Sequence, residues 1–123
     1  MDPSKLIKKW ADLVCAKDIT ALLQIYNKNY YIKPTLYNRV LYKDKTELQK
    51  YFNHFIGNND IVKVEFSDLY TQKMENMIID MGCYKFVTRN NKYFSANYTF
   101  FHDNDTIFAH HSSHFNEDKD KYT

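Results

Sequence analysis

The run TIFAHHSSHF, from Thr106 to Phe115, starts as an apolar strand and turns polar halfway along. Side chains alternate across a strand. Ile107, Ala109, His111, Ser113 and Phe115 therefore share one face, and Phe108, His110, Ser112 and His114 share the other. Each face carries one half of the HHSS tetrad. The alternation predicts that the face opened by Ile107 and Ala109 lines the interior, which selects His111 and Ser113. A slip of one residue replaces them with His110 and Ser112.

Upstream of that run the same period of two recurs at about 61–72, 77–88 and 93–102. The joints are short: MEN, the RNNK turn at 89–92 and the HDND turn at 102–105. Such joints predict an antiparallel meander, because parallel neighbours need long crossovers. Before residue 61 the period is helical. Leu6, Ile7, Trp10, Leu13 and Val14 form one stripe, with Ser4 placed to cap it. Asp18 caps a second, shorter helix over 19–26. Thr46-x-x-Gln49 has capping-box spacing, and behind it Leu48, Tyr51, Phe52, Phe55 and Ile56 share a face before Gly57. Short strands are expected on either side of Pro34-Thr35. Helices followed by a curled meander define an α+β fold, helices packed on a curved, mostly antiparallel sheet.

The 123 residues suit a single domain, 1–123, with a charged tail at 116–123. Seventeen basic against fifteen acidic side chains leave no electrostatic footprint for nucleic acid or an anionic membrane. No uncharged run of spanning length exists, and lysines interrupt the apolar positions of the N-terminus where a secretory signal needs a continuous apolar core. The expectation is a cytoplasmic protein. Cys15 and Cys83 lack metal-ligand spacing and read as structural thiols of a reducing compartment. Twenty Tyr and Phe side chains with only two Gly and two Pro favour a sheet whose turns use Asn and Asp.

Together with the α-α-β-α-β-β-β-β order, several motifs carry a resemblance: Pro34-Thr35 with Asn38-Arg39-Val40, Tyr51-Phe52-Asn53-His54-Phe55, Gly82-Cys83-Tyr84-Lys85-Phe86, Tyr98-Thr99-Phe100 and His110-His111-Ser112-Ser113. The element order resembles the nuclear transport factor 2-like cone, a cystatin-like fold. The motifs resemble the branch around the calcium/calmodulin-dependent protein kinase II association domain, and within it the iota-class carbonic anhydrases, from about residue 10 to 114. The resemblance implies hydration of carbon dioxide to bicarbonate without a metal and with no cofactor. By matching position it implies that Thr35 and Tyr51 orient the attacking water and the bicarbonate oxygens, with His111 and Ser113 supplied by the last strand. The chain departs from the pattern after HHSS, where His114-Phe115-Asn116 replaces a small residue, Met and Pro, and at Asn97, where an Arg often stands.

The residues themselves support a pocket in which a few polar groups converge within an apolar wall. Phe52, Phe55 and Phe100 would bind an uncharged gas. His111 is the natural base, because an unperturbed imidazole titrates at about 6.5. His110, His111 and His114 could instead ligate a metal, but the spacing splits them between faces, and no metal is expected. His54 and His102 read as rim or surface histidines. The strand from Met77 to Val87 is apolar on both faces, so one face needs a partner, and a homodimer or higher homo-oligomer built through the sheet face is expected. A non-catalytic association module and a small-molecule-binding or isomerase-type cone remain alternatives. An isomerase would need Asp80 or Asp68 as its base.

Overall fold

A computed structural model of the chain describes residues 3–34, 40–42 and 44–115, with residues 41–42 described by their backbone alone. Helix α1 (Lys5–Ala16) buries Leu6, Ile7, Trp10, Ala11 and Val14 along one stripe. It stops at Lys17, which takes a left-handed φ of 59° so that the N–H groups of Lys17 and Asp18 reach back to the carbonyls of Val14 and Leu13. The Asp18 carboxylate then accepts from the Ala21 N–H and starts α2 (Ile19–Ile25). Helix α3 (Lys45–Asn58) is capped by Asp44, which accepts from the N–H groups of Thr46 and Glu47. The expected capping box at Thr46 is thereby displaced. A carboxylate two residues upstream takes the N–H groups of Thr46 and Glu47 instead, so the helix starts earlier, and adds negative charge at its N-terminus.

Strands β1 (Tyr26–Lys33), β2 (Leu41–Tyr42), β3 (Ile61–Lys73), β4 (Ile78–Thr88), β5 (Tyr93–His102) and β6 (Ile107–Phe115) form one sheet in the order β2-β1-β6-β5-β4-β3. The last four are the antiparallel meander read from the sequence. Among the described residues the one parallel pairing joins β1 to β6, where α3 and the meander intervene in the chain as a crossover requires.

Irregularities curve the sheet. In β3 the register shifts between Ser67 and Tyr70, and Asp68 sits there with φ 55°. In β6 the register shifts between Ile107, opposite His102, and Ala109, opposite Phe101. Phe108 is the extra residue of a bulge. Gly82 serves the curve differently, since a Cβ there would lie 2.8 Å from the Tyr98 hydroxyl and 3.0 Å from the Ser67 carbonyl.

The helices cover one sheet face. Between the layers lies an aromatic core in which Trp10, Tyr26, Tyr30, Phe52, Phe55, Tyr84, Phe86 and Phe100 are fully buried. Among the described residues no helix is long and apolar enough to cross a membrane.

Candidate functional site

The Phe108 bulge decides which half of HHSS faces the core. Before it, Ile107 points inward. After it, the inward positions are His110 and Ser112, both buried, while His111 is exposed and Ser113 lies beside it with its Oγ 3.0 Å from His111 Nε2. The expectation that His111 and Ser113 share a face with Ile107 is therefore corrected. An extra residue flips the alternation, and the one-residue alternative, His110 and Ser112, gives the interior pair.

Around His110 the buried polar groups form one chain. The Trp10 indole N–H donates to the Tyr26 hydroxyl at 3.1 Å, and that hydroxyl lies 2.8 Å from His110 Nδ1. On the other side of the ring the Tyr84 hydroxyl is 3.2 Å from Nε2 and donates to Ser112 Oγ at 2.5 Å. Phe100 stacks on the imidazole with centroids 3.9 Å apart, and Trp10 stacks on Tyr84 at 5.4 Å. Each element contributes for a local reason. Trp10 belongs to the buried stripe of α1. Tyr26 begins β1, where its ring packs against Phe52 of α3 at 5.9 Å. Tyr84 shares the inward face of β4 with Phe86.

Burial sets the electrostatics. Loss of water, with a lesser push from His111, lowers the His110 imidazole to about 3, so the ring is neutral at physiological pH. Desolvation also pushes the Tyr26 phenol well above its ordinary value, against the Trp10 hydrogen bond. The neighbouring hydroxyls of Tyr84, Tyr51 and Tyr30 add to the rise. Every one of these groups keeps its neutral form.

The other predicted residues divide. Tyr51 is buried on α3, stacked on Phe55 at 5.7 Å and edge-on to Phe52 at 5.3 Å, within electrostatic reach of Tyr26. Phe52 and Phe100 border the polar chain through Tyr26 and His110. Phe55 lies deeper, against Phe86 and Phe94. Thr35 and the tail at 116–123 lie outside the described residues. Trp10, Tyr26 and Tyr84 were missed as polar members. Trp10 read as one position of an apolar stripe, and their convergence depends on pairings far apart in sequence.

A second buried histidine was misjudged outright. His102, expected at the rim, is fully buried, with Nε2 2.5 Å from Asp80 Oδ2. Its Nδ1 accepts from the Asn104 N–H. Thr71 donates to the other Asp80 oxygen at 2.5 Å. Burial raises the Asp80 carboxyl, but hydrogen bonds from His102, Ser4 and Thr71 outweigh it and hold the group below its ordinary value. Ser4 thus spends its hydroxyl on Asp80 and makes no cap bond to α1. Among the described residues no three His, Cys, Asp or Glu side chains gather as a metal site would need.

No protein-family model and no curated protein matches the chain. Solved structures do. A structure described as a putative calcium/calmodulin-dependent protein kinase II association domain from Xanthomonas campestris aligns over 91% of this chain and 84% of its own, with a TM-score of 0.78 and 23% identity. A nuclear transport factor 2-like protein from Cytophaga hutchinsonii aligns over 89% and 93%, at 0.70 and 10%. A putative ketosteroid isomerase from Parabacteroides distasonis aligns over 94% and 95%, at 0.69 and 14%. The fold is therefore the nuclear transport factor 2-like cone, whose members in this set are described as both enzymes and association domains.

Proposed function

We propose that this protein hydrates carbon dioxide to bicarbonate without a metal, on the interior face that carries Tyr51, Tyr84, His110 and Ser112. The observation that supports it is the buried Tyr26-His110-Tyr84-Ser112 chain set among Phe52 and Phe100. Apolar rings suit an uncharged gas, and neutral donors held in a dry site stabilise charge that develops on an oxygen. In the reaction the water oxygen bonds to the carbon of carbon dioxide. One C=O electron pair moves onto the oxygen that accepts from Ser112. The water proton leaves to bulk water or buffer. His110 is too weak a base, at about 3, to hold it. The base role expected of a histidine at ordinary pKa accordingly gives way to hydrogen bonding. Thr35, implied by the resemblance, is proposed to orient the attacking water from the segment after β1.

Stopped-flow hydration of carbon dioxide by chelator-treated protein tests this. The expected result is a rate above buffer that survives chelation and falls about 100-fold in Ser112→Ala, the typical effect of removing one such donor. A rate equal to buffer with folded protein removes the proposal.

A second reading has its own observation. The sheet face opposite the helices exposes Tyr31, Met81, Tyr93 and Phe101, at 54%, 39%, 56% and 37%. Tyr31 and Phe101 line an apolar cleft of about 180 Å³ with Val40, Thr99 and Ala109. We propose that a second copy of the chain covers this face, as in an association module, with or without catalysis. Sedimentation of the wild type as a dimer and of Phe101→Glu as a monomer is the expected outcome; a wild-type monomer at high concentration contradicts it. The isomerase-type reading has less support. Asp80 has both oxygens occupied and a lowered pKa, and Asp68 is exposed at the β3 bulge.

A further inference from the structure

The RNNK turn between β4 and β5 faces the C-terminal end of α3 across an open cleft of about 670 Å³. Asn58, Asn59 and Asp60 line one side, and Arg89, Asn90 and Lys92 line the other. That volume lies in the usual range for a small-molecule site. Asn59 is half-buried and the other five residues are exposed. None of them belongs to the buried chain around His110.

The hydrogen bonds that the lining already makes decide what it has left to offer. On the turn, Thr88 Oγ1 donates to Asn90 Oδ1 and accepts the Lys92 N–H, so the Asn90 amide keeps its NH2 unspent. The Arg89 N–H donates to the Asp60 carbonyl and its Nε–H to Asp60 Oδ2 at 2.8 Å, which holds the guanidinium in place. Among the described residues no hydrogen bond occupies the Arg89 Nη groups or the Lys92 ammonium. On the helix side the bias is reversed. Asn59 spends its amide nitrogen on the Phe55 carbonyl at 2.8 Å, and Asn58 Nδ2 lies 2.9 Å from His54 Nδ1. Their side-chain oxygens remain as acceptors. They stand at the end of α3, where the last carbonyls carry partial negative charge and the last turn holds no basic residue. One wall therefore donates and the other accepts.

Charge strengthens the contrast. Asp60 is the one carboxylate among the lining residues, and it is spent on two cations, with Lys17 Nζ 2.6 Å from Oδ1 and Arg89 Nε on Oδ2. Those hydrogen bonds, that of Lys17 foremost, hold its carboxyl below the ordinary value, so it stays ionised and neutralised. Lys92 then adds a positive charge with no counterpart in the cleft.

We propose that this cleft binds a small hydroxylated acid, a sugar phosphate or sugar acid, whose oxyanion meets Arg89 and Lys92 and whose hydroxyls meet Asn58 and Asn59. A guanidinium pairs with two oxyanion oxygens at once, and Asn90 adds a neutral donor at the same end. A neutral sugar would leave the cations unmatched. Inorganic phosphate would leave the α3 acceptors unmatched. The site is independent of the hydration proposed above, and its test does not use that reaction.

NMR titration of the nitrogen-labelled full chain, followed at the side-chain amides of Asn58, Asn59 and Asn90, compares glucose phosphate, glucuronate, glucose and inorganic phosphate. The expected result is saturation by at least one acid, about tenfold tighter or more than by glucose or inorganic phosphate; the tighter acid names the oxyanion. Lys92→Gln, whose ammonium holds nothing else among the described residues, and Arg89→Gln are each expected to weaken binding about tenfold, the size of one hydrogen bond to a charged group. Lys9→Gln, which removes an exposed cation of α1 outside the cleft, is expected to bind as the wild type does. No saturation by either acid overturns the inference, as does an affinity unchanged in both cleft variants or lowered equally by Lys9→Gln. Glucose or inorganic phosphate binding as tightly as the better acid overturns it too, because one wall would then contribute nothing.

Discussion

Two buried histidines at different ends of the sheet spend their ring nitrogens in opposite ways. His102 faces a carboxylate and a backbone N–H, and Asp80 in turn holds Thr71 and Ser4. A charged acceptor surrounded by fixed donors ties α1, β3, β4 and β5 together and leaves no polar atom over. His110 faces two phenols and stacks on Phe100, with no carboxylate among its hydrogen-bond partners. Its chain is neutral from end to end and leads to a serine hydroxyl. The first arrangement fastens the structure, whereas the second can exchange one partner for another without moving a charge.

Breaking the first should have the largest effect on stability. Asp80→Ala leaves the fully buried His102 without its acceptor, along with the less buried Thr71 and Ser4, and loss of a buried pair costs about 3–5 kcal/mol. Urea unfolding is expected to show that loss at pH 7, against about 1 kcal/mol for each neutral hydrogen bond removed in Ser112→Ala. Equal losses at the two sites would remove the contrast.

Acid separates them next. Both groups bind protons more weakly in the folded chain than unfolded, so both contribute stability that is present at neutral pH and lost as pH falls. His110 acts from about 6.5 down to about 3, and Asp80 acts only below the ordinary carboxylate range. The wild type is expected to lose stability at up to about 1.4 kcal/mol per pH unit between roughly pH 6 and 4 from His110. His110→Asn should flatten that interval and leave the steeper fall below it, as urea midpoints measured across pH would show. The smallest expected effect lies on the other face of β6. His111→Ala and Ser113→Ala, which remove the outward pair, should leave both the unfolding midpoint and the hydration rate unchanged.

The elements were legible because their periods are clean. The meander strands fall within about a residue of the runs read from alternation, and the α1 stripe is the buried face of the helix. The site was legible in its composition but misread in its facing. The bulge at Phe108 carries no Gly, Pro or Asn to mark it, because it arises where β6 must follow the curve of β5 and not from a local preference. His102 was unreadable for a related reason. Its partner lies 22 residues away on a neighbouring strand, and the sequence around it, HDND, has the look of an exposed turn. Asp44 escaped because Thr46-x-x-Gln49 has the better-known spacing, although a carboxylate two positions earlier caps the helix through the N–H groups of Thr46 and Glu47.

The measurement that bears most directly on the proposed chemistry is carbon dioxide hydration by metal-stripped wild type, Ser112→Ala and Ser113→Ala in parallel, each shown to be folded. A metal-independent rate that collapses with Ser112 and persists without Ser113 is the predicted result. A rate that follows Ser113, or none above buffer in the wild type, would contradict an interior hydroxyl chain as the seat of the reaction.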